Sequence, residues 1–191
     1  MRLGEVMGLC WDAVDLKQGK INVIRQLCHV SGKGYYFGEP KTKTSNRELF
    51  IDTHLLALLK KWKKMQTENE LAKGSAYLHA YEGVDGSLWH FSKGHTPQTD
   101  LTSRALVCTR KDGACVSRET IFAALKKQGV NFHSLRHTHA TMLIEAGAIP
   151  KDVAARLGHT DATITQNLYT HDTEEMQKNT VVIFEKIVRE N

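Results

Sequence analysis

Proline is scarce in this chain, three in 191 residues, and neither an internal repeat nor a low-complexity tract interrupts it. That excludes a Pro-rich linker or a repeat array and leaves one folded core of ordinary size as the simplest organisation. Cysteine is used as sparingly. Cys10, Cys28, Cys108 and Cys115 stand far apart and form no CxxC pair, so neither a zinc ribbon nor a dithiol redox motif can be read, and reduced thiols are expected. No apolar run approaches the roughly 18 residues needed to span a bilayer, and no signal peptide opens the chain. The expectation is a soluble, cytoplasmic protein with no membrane partner.

What the chain does have is a small surplus of positive charge. It carries 26 Lys and Arg against 21 Asp and Glu, a formal net charge of +5. A polyanionic partner suits that surplus, although many globular domains without one are equally basic. Local patterns say more. Leu3, Val6, Met7 and Leu9 surround Gly4 and Glu5 as the tail of a helix packed on the core. Lys20 to Cys28 alternates and is β-branched, predicting a strand entered from a turn at Gly19. Gly32-Lys33-Gly34 turns the chain into Tyr35-Tyr36-Phe37, and a basic turn from Lys41 to Asn46 leads into a third strand, Arg47 to Ile51. Together these make a small antiparallel sheet with a lysine-bearing tip.

From Thr53 the pattern Leu55, Leu56, Leu58, Leu59, Trp62 and Met65, with lysines between, predicts an amphipathic helix. Residues 74–104 have weak periodicity and several turn formers, and read as an insertion beside the core that contains a hairpin. Leu106 to Cys108 then reads as a short strand, Lys111-Asp112-Gly113 as a turn, and Ser117 as the cap of a helix through Leu125.

The densest stretch of chemistry lies between His133 and Tyr169. His133 and Arg136 are three apart, so on one helix they share a face. Arg binds phosphate with a planar fork and keeps its charge at working pH. An apolar central helix continues from His133 through Ile144 to Gly147. Pro150 opens a short helix that Gly158 closes, which places His159 where the chain leaves it. Tyr169 lies beside an apolar face made by Ile164 and Leu168, among polar neighbours that suit an exposed hydroxyl.

His133-x-x-Arg136, Leu157-Gly158-His159 and Tyr169, in this order and spacing, resemble the C-terminal signature of the tyrosine recombinases, the phage and conjugative-transposon integrases in particular. The resemblance asks for an upstream Arg followed by Gly-Glu or a similar pair. Arg2-Leu3-Gly4-Glu5 supplies it, running into Leu9-Cys10-Trp11-Asp12, so the likeness covers nearly the whole chain. It implies an α+β fold, mainly α, a helical catalytic domain with a small antiparallel three-stranded sheet on one edge. Residues 1–191 would be that domain truncated at its N-terminus, with the arm-binding and core-binding domains absent and 174–191 forming a C-terminal helix or tail.

The resemblance also implies roles. Tyr169 would attack the scissile phosphorus and form a 3′-phosphotyrosyl link. Arg2 and Arg136 would clamp the non-bridging oxygens, His133 would take the tyrosine proton, and His159 would hydrogen-bond the phosphate. Lys43, with Lys41 as the alternative, would protonate the leaving oxygen, and Glu5 would orient the basic groups. Lys41, Lys43 and Arg47 would touch DNA. Cofactor and metal would both be none, and the partners double-stranded attachment-site DNA, further copies of the chain on that DNA with the C-terminal helix docked in trans, and an accessory excision protein. The alternatives are a catalytically inactive DNA-binding remnant, a DNA-relaxing topoisomerase of related geometry, and a metal enzyme built on His133, His137 and His139.

Overall fold

In the computed structural model, residues 1–39, 46–95, 100–158 and 181–182 are described. Helix α1 (Leu3–Met7) is a single short stretch whose far end runs against strand β3 (Gln26–Val30). The approach is so close that a Cβ on Gly8 would lie 2.7 Å from the backbone of Gln26 and Leu27, so only glycine fits there. From this junction the chain feeds two apolar clusters. Met7, Cys10, Leu27, Phe37, Ala80 and Leu106 form one, and Leu9, Ala13, Ile21, Val23, Leu49 and Val107 the other.

The strand expected over Lys20 to Cys28 is broken at Ile24 and Arg25. Its first half, β2 (Lys20–Val23), pairs antiparallel with β1 (Val14–Asp15) on one side and with β5 (Arg47–Phe50) on the other. Its second half, β3, pairs instead with β4 (Gly34–Gly38). The expected single sheet is therefore one three-stranded sheet and one hairpin, because each half of the long strand finds a different partner. Arg25 stabilises the bend through a 2.6 Å bond to the Asp12 carboxylate.

Helix α2 (Thr53–Lys73) is capped by Asp52, whose carboxylate accepts the Leu55 N–H. Leu59 and Trp62 pack on the second cluster, and the Trp62 indole donates to the Val107 carbonyl at 2.6 Å. Buried Gln66 completes the contact: its amide donates to Leu106, Val107 and Thr109, and it accepts from Trp11. Residues 74–104 do contain a hairpin, β6 (Leu78–Glu82) with β7 (Leu88–Ser92), and β8 (Thr102–Ser103) lies on the other edge of β6. The hairpin is part of the core, since Ala80 is buried in the first cluster and Leu88 packs against it.

Leu106 to Cys108 makes no strand. Its place is taken by two isolated bridges, Cys10 with Leu106 and Thr109 with Cys115. Ser117 caps α3 (Arg118–Lys127) as its position predicts, accepting the Thr120 N–H. Helix α4 (Phe132–Glu145) packs against α5 (Pro150–Leu157) through Ala140, Ile144, Val153 and Leu157, a third and separate cluster. It is less central than its apolar sequence implies, since Met142 is 63% exposed. No helix among the described residues is long and apolar enough to cross a membrane.

Candidate active site

Two local signals place the last turn of α5. Proline at its first position carries a fixed φ and no N–H that the helix needs, and Gly158 ends it in the left-handed conformation at φ 67°. A helix end leaves its last carbonyls without intrahelical donors, at the negative pole of the helix dipole. Three successive carbonyls here each receive one arginine. Arg47 Nε donates to the Arg156 carbonyl at 2.8 Å, Arg136 Nη2 to the Leu157 carbonyl, and Arg2 Nη2 to the Gly158 carbonyl at 2.6 Å.

The arginines arrive from far apart in the chain. Arg2 stands at the start of α1, Arg47 opens β5, and Arg136 is one turn into α4, whose N-terminus Asn131 caps by accepting the Ser134 N–H. Among the described residues, a single carboxylate sits with them. Glu5 is 1% exposed, and its Oε1 accepts from Arg2 Nη1 at 2.9 Å and from Arg47 Nη1 at 3.2 Å. Its Oε2 accepts from the Arg2 backbone N–H at 2.7 Å and from Arg47 Nη2 at 2.8 Å.

Burial pushes the Glu5 carboxyl upward, but the bonds from Arg47 and Arg2 outweigh it and hold the group below its ordinary value. Arg136 moves the other way. Burial first, then the neighbouring Arg2 and Arg47 charges, lower it to about 10, with Glu5 opposing, so it stays cationic at neutral pH. Its Nη1 is buried with no hydrogen-bond partner among the described residues. A buried donor without an acceptor is costly, and an anion supplied from outside would satisfy it.

The structure therefore brings Arg2, Glu5 and Arg136 together. Arg47, expected on DNA, joins them from below: its side chain is 7% exposed and faces Glu5. His133 lies in the exposed first turn of α4, three residues before Arg136. Lys41, Lys43, His159 and Tyr169 lie outside the described residues, as does the tail at 174–191 except Val181 and Val182, which are helical and exposed. Gly158 delivers the chain directly from the arginine cluster into position 159.

Arg156 is a neighbour that the motif spacing did not single out. It donates from Nη1 to the Phe50 carbonyl at 2.9 Å and from Nε to His139 Nε2 at 3.3 Å, tying β5 to α4 and α5. The signal for it was present, a basic residue in the last turn of a helix. Burial and then the Arg156 charge push the His139 imidazole below its usual value.

Two arginines meet at one helix end on a mixed α/β scaffold, and comparison with known proteins identifies the family. Residues 1–176 match the family described as "Phage integrase family", so the chain belongs to the phage integrase family. It is 33% identical over 192 aligned residues to the "Tyrosine recombinase XerC-like" protein of Caldanaerobacter subterraneus subsp. tengcongensis, with 95% of this chain and 45% of that protein covered. It is 29% identical to the ICEBs1 integrase of Bacillus subtilis, with 93% and 43% covered. The chain thus spans under half the length of these relatives.

Among solved structures, the Tn1549 transposon integrase in complex with transposon right end DNA superposes with a TM-score of 0.67 at 23% identity, over 94% of this chain and 53% of that one. The XerA recombinase gives 0.57 at 19% identity, over 96% and 53%. At such identities the likeness concerns the fold, which is that of a tyrosine-recombinase catalytic domain.

Proposed function

We propose that this chain is the DNA-cutting part of a site-specific tyrosine recombinase, an integrase. The observation that carries the reading is the convergence of Arg2 and Arg136 on the end of α5, with an unsatisfied Arg136 donor beside them. A phosphodiester resists attack because the nucleophile meets negative charge and the leaving alkoxide is poor. Two guanidiniums already in place address the first obstacle, since preorganised donors stabilise the charge that grows in the pentacoordinate state.

In this reading the Tyr169 oxygen attacks phosphorus as His133 takes its proton. The bond from phosphorus to the 5′ oxygen breaks, and Lys43, or Lys41, protonates that oxygen. The resulting 3′-phosphotyrosine conserves the bond energy, and a free 5′-hydroxyl later attacks it to rejoin the strand and release the tyrosine. No cofactor, metal or ATP enters this sequence of steps. His159, next to the clamp in the chain, donates to the phosphate. The same reading makes double-stranded attachment sites the substrate, further copies of the chain its partners on DNA with the 174–191 helix docked in trans, an accessory excision protein an additional partner, and the cytoplasm its setting.

The test is covalent trapping. Wild-type chain incubated with a suicide duplex carrying a candidate attachment site should give a denaturant-resistant protein–DNA adduct, and Tyr169→Phe should abolish it. An adduct that persists in Tyr169→Phe would remove Tyr169 as nucleophile. Duplex binding with no adduct in wild type would instead favour a catalytically inactive DNA-binding remnant.

A further inference from the structure

Arg47, expected on DNA, has a largely buried side chain paired with Glu5. Among the described residues, the cluster holds Arg2, Arg47 and Arg136 against the single carboxylate of Glu5. A carboxylate prefers a bidentate guanidinium partner, with both oxygens held by one planar fork. Arg47 supplies that fork through Nη1 and Nη2, at 3.2 and 2.8 Å to the two Glu5 oxygens. Arg2 reaches the carboxylate with its side chain through Nη1 only, while its Nη2 turns to the Gly158 carbonyl.

We propose that Arg47 is a positioning residue: it serves as the counter-charge of Glu5, so that Arg2 and Arg136 keep their positive charge for a phosphate. The inference rests on the phosphate-clamp reading of those two arginines. Without Arg47, the buried Glu5 would draw the Arg2 fork onto itself, and the site would lose one net positive charge. Three features fit a seat built for Arg47. Its Nε is anchored on the Arg156 carbonyl, and its side chain is 7% exposed, out of reach of a groove-sized ligand. The third is Gly158, where a Cβ would fall 2.8 Å from Arg47 Nη1 and 3.1 Å from Cζ, so a side chain there would have to displace the guanidinium.

Lysine cannot replace the fork. It would keep the charge but lose both the bidentate geometry and the Nε anchor, so Arg47→Lys should fall between wild type and Arg47→Gln.

The experiment follows side-chain N–H signals of 15N-labelled arginine in the 191-residue chain during titration with inorganic phosphate, with thermal melting of every variant alongside. Wild type should respond at Arg2 and Arg136. Arg47→Gln should bind roughly ten- to hundredfold more weakly, the effect of one charge roughly 6–12 Å away at an effective dielectric of about 20. Glu5→Gln combined with Arg47→Gln restores the charge balance, and it should recover affinity to within about threefold of wild type, a coupling that a merely structural role would not produce.

If Arg47→Gln does not fold, the double variant decides, because no buried carboxylate is left without its partner. Wild-type-like affinity in it supports the counter-charge role, and weak affinity overturns it. No phosphate response in wild type would overturn the clamp reading together with this inference. A wild-type response that Arg47→Gln leaves unchanged would overturn this inference alone.

Discussion

Glu5 is the residue on which the arginine cluster turns, and its titration can be read in stability. Its folded-state carboxyl lies below the ordinary value of 4.5. A group depressed in this way stabilises the fold fully above its unfolded value, and the contribution disappears as pH falls through the lower folded value. Urea unfolding of wild type from about pH 7 down to about pH 2 should therefore show an acid limb that Glu5→Gln flattens. Identical acid slopes in the two proteins would mean that Glu5 is not held by its arginines in solution. Arg136 should contribute no such limb, since even at about 10 it is fully charged throughout that range. At this scale the pair of Arg2 and Glu5 was legible in the sequence, because residues three apart at the start of one short helix lie on the same face. The pairing of Arg47 with Glu5 was not, because the two lie 42 residues apart in the chain.

Among the elements, α5 was the most readable and carries the most consequence. Proline at its start and glycine at its end delimit eight residues whatever surrounds them, and the structure keeps those bounds. Gly158→Ala tests what the end of that helix does. The left-handed φ costs a residue with a Cβ about 1–2 kcal/mol, and contact with the Arg47 guanidinium adds to it. The variant should melt lower by several degrees, roughly 2–8 °C for a chain of this size. Adduct formation should suffer far more than duplex binding, because the turn that leads into His159 is displaced. Unchanged melting would show that the guanidinium yields easily. The strands were harder to read. Alternation from Lys20 to Cys28 says that the residues are extended, but pairing is a property of two segments, and nothing local marks Ile24 and Arg25 as the point where partners change. The hairpin inside 74–104 was visible as turn signals; its membership of the core was not, since it depends on small Ala80 meeting Met7 and Leu27 from distant parts of the chain.

For the whole molecule, the relevant quantity is how much phosphate surface the chain engages. A net charge of +5 and a clamp of a few arginines predict modest, strongly salt-dependent DNA binding. Affinity for a mixed-sequence duplex should fall about ten- to hundredfold between roughly 50 and roughly 200 mM salt, as release of a few counterions requires. Gel shifts across that range measure it. Tight binding that ignores salt would point to a different mode of attachment.

Local spacing settled whatever a single helix or cap could settle: the Arg2 and Glu5 pair, the succession of His133 and Arg136 along α4, the caps at Ser117 and Gly158. Steric and hydrogen-bonding rules within a few residues suffice for those. Folding alone brought Arg2 to a carbonyl 156 residues away and Arg47 to one 109 residues away. Such meetings depend on which apolar faces bury against each other, and that is a property of the packed chain as a whole, which no short window of residues contains.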